Sequence, residues 1–337
     1  MADYSDNGGI KYKTGKMTRV LFEKKDTYSL RGIMMLWILL SHINQMWAQE
    51  FHFELSSLMS TLMGSGGYLG TAGFFLLSGY GVFLSFSRNS PISWKYAAKN
   101  IRKILLPFFV LLVLNFIIFY YHFGSFPSIR DIGDCIQSLS FSYSFPMRRP
   151  LFANMWFLKV ILIFYIVALL CFYLCDGKKR LTYITFFTAV YIVWAILFKM
   201  PAFVWMTVCC FPLGMFFAHY RDLVQNYSQT ISVLSIGLFM ILYFFYCVLL
   251  NAITCLLSGI MFSVAAVCFS SIVNIKCHLF DFVGHYSLLF YLFQMLFLAP
   301  SLWLSQGNVW LFMGGVFVLT FVGVYLYVLI DERLFCR

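Results

Sequence analysis

Residues 155–175 read MWFLKVILIFYIVALLCFYLC, twenty-one positions holding one charge, Lys159. A spanning helix needs about 20 mostly apolar residues, so this run reads as a membrane helix on length and composition alone. Nine further runs repeat the pattern, at 28–48, 66–87, 102–121, 181–199, 201–219, 230–250, 252–274, 284–304 and 307–330. The whole chain agrees with them. Of its 337 residues 61% are hydrophobic and only 11% are charged, where a soluble domain carries about a quarter charged residues. These numbers predict an all-α, polytopic membrane helix bundle with about ten transmembrane helices.

The net charge of +11 could mark a nucleic-acid binder, but its placement argues otherwise. The charges fall in short segments between apolar runs, where topology signals lie; no nucleic-acid partner is expected. With the N-terminus inside, eighteen of the 24 Lys and Arg collect on the cytoplasmic side. Four lie outside (Arg130, Arg148, Arg149 and Lys199), and Arg31 and Lys159 lie inside helices. This bias puts both termini in the cytoplasm. The domains expected are a basic tail over 1–27, a transmembrane domain over 28–330 and a short tail over 331–337. The longest loop, 122–154, falls outside, and reads equally well as a functional loop or as a connector. Most of the ten cysteines sit inside apolar runs and form no C-x-x-C pair. Neither a disulfide framework nor a metal site is expected. No cleaved signal peptide is expected either, because the N-terminal segment is long, charged and lacks a small-residue cleavage site.

Ionisable residues inside a membrane helix are costly and are usually paired or functional. The first helix holds two, Arg31 and His42, eleven residues apart. Eleven residues are just over three turns, so both point the same way, about 16 Å apart along the axis. Asn44 and Gln45 continue the polar character. Histidine can serve as a general base near neutral pH, and arginine can hold a phosphate or carboxylate through two bonds. The pair suits a reaction with an anionic co-substrate on the inner side. It is also compatible with Arg31 reaching lipid headgroups and His42 satisfying a packing contact. In the second helix Gly66, Gly67, Gly70, Gly73, Gly79 and Gly81 read as close-packing positions. Ser78 among them has no G-x-S-x-G elbow. Lys95, Lys99, Arg102 and Lys103, in the loop expected before Pro107, could bind anionic lipid or the phosphates of a nucleotide-bearing co-substrate. Asn154, Trp156 and Lys159 open the fourth helix, with Trp156 at an interface and Lys159 able to snorkel. Gln294 stands near mid-depth and needs a partner. The sequence has no Walker A loop, no H-E-x-x-H and no Rossmann fingerprint.

In this order the motifs resemble those of the acyltransferase-3 family of bacterial membrane acyltransferases. The R-x10-H pattern is Arg31 to His42. Paired phenylalanines and a Ser-Gly pair appear as Phe74, Phe75, Ser78 and Gly79. The basic motif runs from Lys99 through Arg102 and Lys103 to Pro107. A Trp-Phe-Leu segment is Trp156, Phe157 and Leu158, and a late Gly-x-x-Ser before Tyr-Leu is Gly284, Ser287, Tyr291 and Leu292. The chain departs from the family where Gln294 replaces a common histidine and Lys99 a common arginine.

The resemblance implies a multi-pass protein of the bacterial cytoplasmic membrane. Such a protein moves an acyl group, by default acetyl, from acyl-CoA to a hydroxyl of a cell-surface glycan or glycolipid. Acyl-CoA is then a co-substrate, with no cofactor bound, and membrane lipid surrounds the protein. In that reading His42 and Arg31 are the catalytic pair, His42 as the base, and Arg31, Lys99, Arg102 and Lys103 hold the CoA phosphates. Asn44, Ser78, Trp156, Lys159 and Gln294 are further candidates. Two rivals stand beside it: a transporter or flippase of a glycan intermediate, and an inactive relative serving as a receptor or scaffold. The absence of repeats and of many broken helices weighs against the transporter.

Overall fold

The computed structural model describes residues 24–51, 56–89, 92–124, 156–249, 251–273 and 277–335. Most of the N-terminal tail, nearly all of the 122–154 loop with Arg130, Arg148, Arg149 and Asn154, and Lys276 and Arg337 lie outside the described residues. Twelve α-helices and no strand occur among the described residues. In chain order they are α1 (Lys24–Met46), α2 (Ser57–Arg88), α3 (Trp94–Phe123), α4 (Trp156–Leu174), α5 (Lys179–Leu197) and α6 (Cys210–His219). They continue as α7 (Arg221–Asn226), α8 (Ser228–Leu249), α9 (Ala252–Ile272), α10 (His278–His285), α11 (Ser287–Ser305) and α12 (Val309–Phe335).

Eight of these are long and apolar enough to cross a membrane, and the chain is a polytopic helical membrane protein. Two of the ten expected spans differ from that pattern. The first, α1, has 23 residues, about 35 Å of helix, but is too polar to count among the eight. It is instead wrapped by protein: α2, α9, α10 and α11 all pack against it. Hydrocarbon cannot satisfy Arg31 and His42, so the most polar of the long helices is the one enclosed by others. The outer helices do the opposite, and α8 turns Val233, Leu234, Phe244 and Val248 outward.

The other is 201–219, which is not one helix. Pro201 is extended (φ −53°, ψ 139°), and Ala202–Val204 form a 3-10 turn. Turns then follow to Cys209, and only Cys210–His219 are α-helical. Pro201 cannot donate to a helix ladder and disfavours a helical Met200. Lys199 before it has positive φ (52°). Ten α-helical residues rise about 15 Å, half a bilayer.

Four further boundaries shift, the first being that of α2, which starts at Ser57, nine residues before the expected run, and is capped by the Ser56 hydroxyl. The ninth expected span starts as the separate short helix α10, with a break at Tyr286, so Gly284 lies on α10 and Ser287 opens α11. The basic cluster expected in a loop lies on the first turns of α3, whose start is capped by the Ser93 hydroxyl. That side chain can accept the free amide of Tyr96, so the helix begins eight residues earlier than the apolar run. The last helix continues to Phe335.

Where helices cross most closely, glycine makes it possible. A Cβ on Gly79 would stand 1.9 Å from the Phe211 carbonyl oxygen, and one on Gly214 would stand 1.9 Å from that of Leu76. The two glycines bring α2 and α6 backbone to backbone. Gly32 and Gly284 do the same for α1 and α10. With little hydrophobic drive between helices in lipid, such close approach supplies packing energy. Aromatic rings fill the space beside the crossing: Phe164 on α4 lies 5.3 Å from Phe211 and 6.2 Å from Phe75, all three fully buried.

Candidate active site

The site is built on one face of α1. Arg31, Met35, Ile38, His42 and Gln45 follow one another at helical spacing and line a single cavity of about 470 Å³. They extend along the axis for about 21 Å. Arg31 has no carboxylate and no hydrogen-bond partner among the described residues. A guanidinium inside a membrane bundle has the charge and the paired donors to hold an anion. At the far end of the same face, His42 Nδ1 is enclosed and has no hydrogen-bond partner among the described residues, while its ring forms part of the cavity wall.

Helix α2 runs antiparallel to α1 and supplies the second wall. Gly66 meets Trp37, Gly67 meets Ser41, Gly73 meets Met34, and Gly81 lies 4.0 Å from an Arg31 nitrogen when given a Cβ. This order puts Gly64, Gly67 and Tyr68 beside His42 and Ser78 toward Arg31. All four line the cavity, with Thr71 between them. At the Arg31 end α3 contributes Ile104, and α11 contributes Ser287 and Leu288. At the His42 end the wall is aromatic. Trp156 of α4 packs on Phe203 of the broken segment (5.4 Å between centroids), and Tyr246 of α8 packs on Tyr68 (5.0 Å). Met206 and Thr207 complete that end. Irregular backbone at membrane depth is tolerated where it is buried in protein or lines a cavity, and 201–209 meets that condition.

The chain matches the acyltransferase-3 family model, described as an acyltransferase domain, over residues 29–329. The chain belongs to the acyltransferase-3 family. No curated protein and no solved structure matches it.

The candidate residues of this membrane acyltransferase divide into three groups. Arg31, His42, Ser78 and Trp156 share the cavity. Lys99, Arg102 and Lys103 do not line it; they are exposed on α3, with Lys103 one residue before the cavity-lining Ile104. A hydrogen bond between Tyr96 and Ser85 ties that basic stretch of α3 to α2. Asn44, Lys159 and Gln294 lie off the cavity surface. The Asn44 amide donates to the Ser60 carbonyl (3.2 Å) and so joins α1 to α2. Lys159 follows the cavity-lining Leu158 on α4 and is half-buried. Gln294 is fully buried and lies against His42. The two fall short of hydrogen-bond geometry, so both amide atoms remain unpartnered.

Sequence reasoning passed over Tyr68, Thr207, Phe203 and Tyr246, which come from three separate elements. It also singled out Asn44 where Gln45 is the cavity residue. The helical period held that signal: Gln45 is three residues from His42, on the same side, whereas Asn44 is about 200° round the axis.

Proposed function

We propose that the protein is an acyl-CoA-dependent O-acyltransferase. It moves an acyl group, by default acetyl, from a cytoplasmic donor to a hydroxyl of a cell-surface glycan or glycolipid. The observation that carries this reading is the pair on α1: a guanidinium with no carboxylate partner among the described residues and an imidazole about three turns on, in one cavity. The donor enters at the Arg31 end, which the loop charges put toward the cytoplasm. Arg31 takes an anionic oxygen of the donor, and Lys99, Arg102 and Lys103 on α3 attract the CoA phosphates from solution.

The acyl thioester then lies along the α1 face with its carbonyl near His42. The acceptor oxygen attacks that carbonyl as His42 takes its proton. The carbon–sulfur bond breaks, and the thiolate leaves and regains the proton from the imidazolium. The products are one ester and one free CoA thiol. Gln294 lies against His42 without a hydrogen bond, so it bounds the ring by packing.

The test is donor sidedness. Membrane vesicles carrying the protein and its native glycan receive radiolabelled acetyl-CoA, which does not cross a bilayer. Label is expected in glycan from inside-out vesicles, where the cytoplasmic face meets the donor. Transfer from sealed right-side-out vesicles alone would overturn the reading.

A further inference from the structure

Behind His42, away from the cavity, α1, α11 and α12 meet in a seam that holds more polar atoms than it pairs. Two glycines of α12 fix its register. A Cβ on Gly315 would stand 3.3 Å from the Ser301 side chain, and one on Gly323 would stand 2.7 Å from the rings of Phe293 and Phe297. The two helices therefore run antiparallel, and Thr320 stands level with Leu296, between Gln294 and Ser301. Phe312, Val316, Thr320 and Val324 recur at helical spacing, and all four are fully buried. Phe312 and Val316 share a packed cluster with Leu39 and Ile43 of α1, and Val324 shares one with Met35 and Ile38. Thr320 thus faces α1 between those two layers, within about a turn of His42. Five enclosed side-chain atoms of the seam make no hydrogen bond among the described residues: His42 Nδ1, Gln294 Oε1 and Nε2, Thr320 Oγ1 and Ser301 Oγ. Pro300, inside α11, adds the Leu296 carbonyl to them, because proline has no amide to offer it.

Buried polar groups are nearly always satisfied, so a cluster of unpartnered ones from three helices calls for a common partner. Direct pairing does not supply it, since Gln294 already lies against His42 and the two miss hydrogen-bond geometry. Internal water does, because it settles where two to four otherwise unpaired polar groups converge. We infer that enclosed water in this seam joins His42 Nδ1 to Gln294 and Thr320, and that these two are positioning residues for the base. The inference rests on the acyltransferase reading for its purpose, but not for its geometry. His42 Nδ1–H donates to the water, and the water donates to Gln294 Oε1 and Thr320 Oγ1. The Thr320 hydroxyl in turn donates to the Leu296 carbonyl. The partner of one imidazole nitrogen decides which nitrogen carries the proton. With the proton on Nδ1, the lone pair lies on Nε2, the nitrogen left to the cavity, where the acceptor hydroxyl must deliver its proton. When the imidazolium forms, the same water accepts a stronger, charge-assisted bond from Nδ1–H.

The first test needs neither donor nor acceptor. Isotope-labelled histidine is read by solid-state NMR in the full protein in nanodiscs, the His42 signals being those absent from His42→Ala. The wild type is expected to show the Nδ1–H tautomer alone, with magnetisation passing from water to Nδ1. Thr320→Val, nearly the same in shape, should lose that transfer and show both tautomers. Thr320→Ser keeps the hydroxyl and should keep both wild-type features. Thr182→Val, on an exposed turn of α5, should match the wild type. In transfer assays Thr320→Val should lower kcat about fivefold, the worth of one net hydrogen bond, with KM for acetyl-CoA unchanged, and Thr320→Ser should restore the rate. An Nε2–H tautomer in the wild type would overturn the proposal. So would a tautomer and water contact left unchanged in folded Thr320→Val. If the His42 signals depend on Thr320 but acyl-CoA supports no transfer, the water site stands and the acyltransferase reading falls. If transfer proceeds and the His42 signals ignore Thr320, the reverse holds.

Discussion

Alanine at Gly79 tests the packing that positions the site. Its Cβ would arrive 1.9 Å from the Phe211 carbonyl oxygen, with the Phe211 carbonyl carbon at 2.9 Å. Ordinary contact begins near 3.4 Å, so α2 and α6 must part by about 1.5 Å. The obstacle is backbone, which cannot rotate away as a side chain would. Overpacking of this kind costs about 1–3 kcal/mol, occasionally more, and the backbone clash puts Gly79→Ala at the upper end. At about 2 °C per kcal/mol, the low end of the range for larger domains, the unfolding midpoint should fall by about 4–6 °C. The same displacement moves Ser78, and with α6 the segment bearing Thr207. A misplacement of about 1 Å can cost ~100-fold in rate, so the folded fraction should also lose most of its activity. The assay is thermal unfolding in nanodiscs followed by size exclusion, with transfer activity per folded protein. Gly214→Ala, the reciprocal contact, should behave alike. Gly237→Ala and Gly314→Ala meet nothing within 4 Å and should be neutral or slightly stabilising. If Gly79→Ala unfolds with the Gly237→Ala control, the close crossing of α2 and α6 is wrong.

Three other outcomes follow from the site. Arg31→Ala should raise KM for acyl-CoA by about 10- to 100-fold, the worth of a charged hydrogen-bonding contact. Arg31→Lys should recover part of that loss through its charge alone, and equal KM in all three proteins would remove Arg31 from donor binding. The triple change Lys99→Gln, Arg102→Gln, Lys103→Gln should raise KM for acyl-CoA several-fold at low salt and little at high salt, because exposed charges are screened; steady-state kinetics at two ionic strengths reads this, with kcat unchanged. Asn44→Ala loses the bond to Ser60 and should cost about 1 kcal/mol of stability with full activity per folded protein, so a loss of kcat would place Asn44 in the chemistry after all.

Much of the fold could be read from the chain because membrane helices announce themselves by length. Eight apolar runs became eight long helices. Where runs misled, polar groups or proline were the cause. The 201–219 run is apolar throughout, yet Pro201 and the turns after it break it, and composition does not register a missing amide. The basic residues before Pro107 looked like a loop because they are charged, but lysine and arginine are good helix formers and Ser93 caps them. The Arg31–His42 face was legible because both residues belong to one helix and obey its period. Thr207, Tyr68 and Tyr246 were not, since their meeting depends on how α2, α8 and the broken segment pack. Gln294 stood out as a mid-depth amide, but only the packing of α11 on α1 placed it against His42.

The central claim is that His42 is the base, and His42→Ala tests it most directly. Purified wild type and variant in nanodiscs receive radiolabelled acetyl-CoA and an extract of envelope glycan. The account predicts normal folding and acetyl-CoA binding in the variant, with transfer lower by about 10²–10⁴-fold, the usual contribution of a general base. A folded His42→Ala protein that transfers label at the wild-type rate would contradict it.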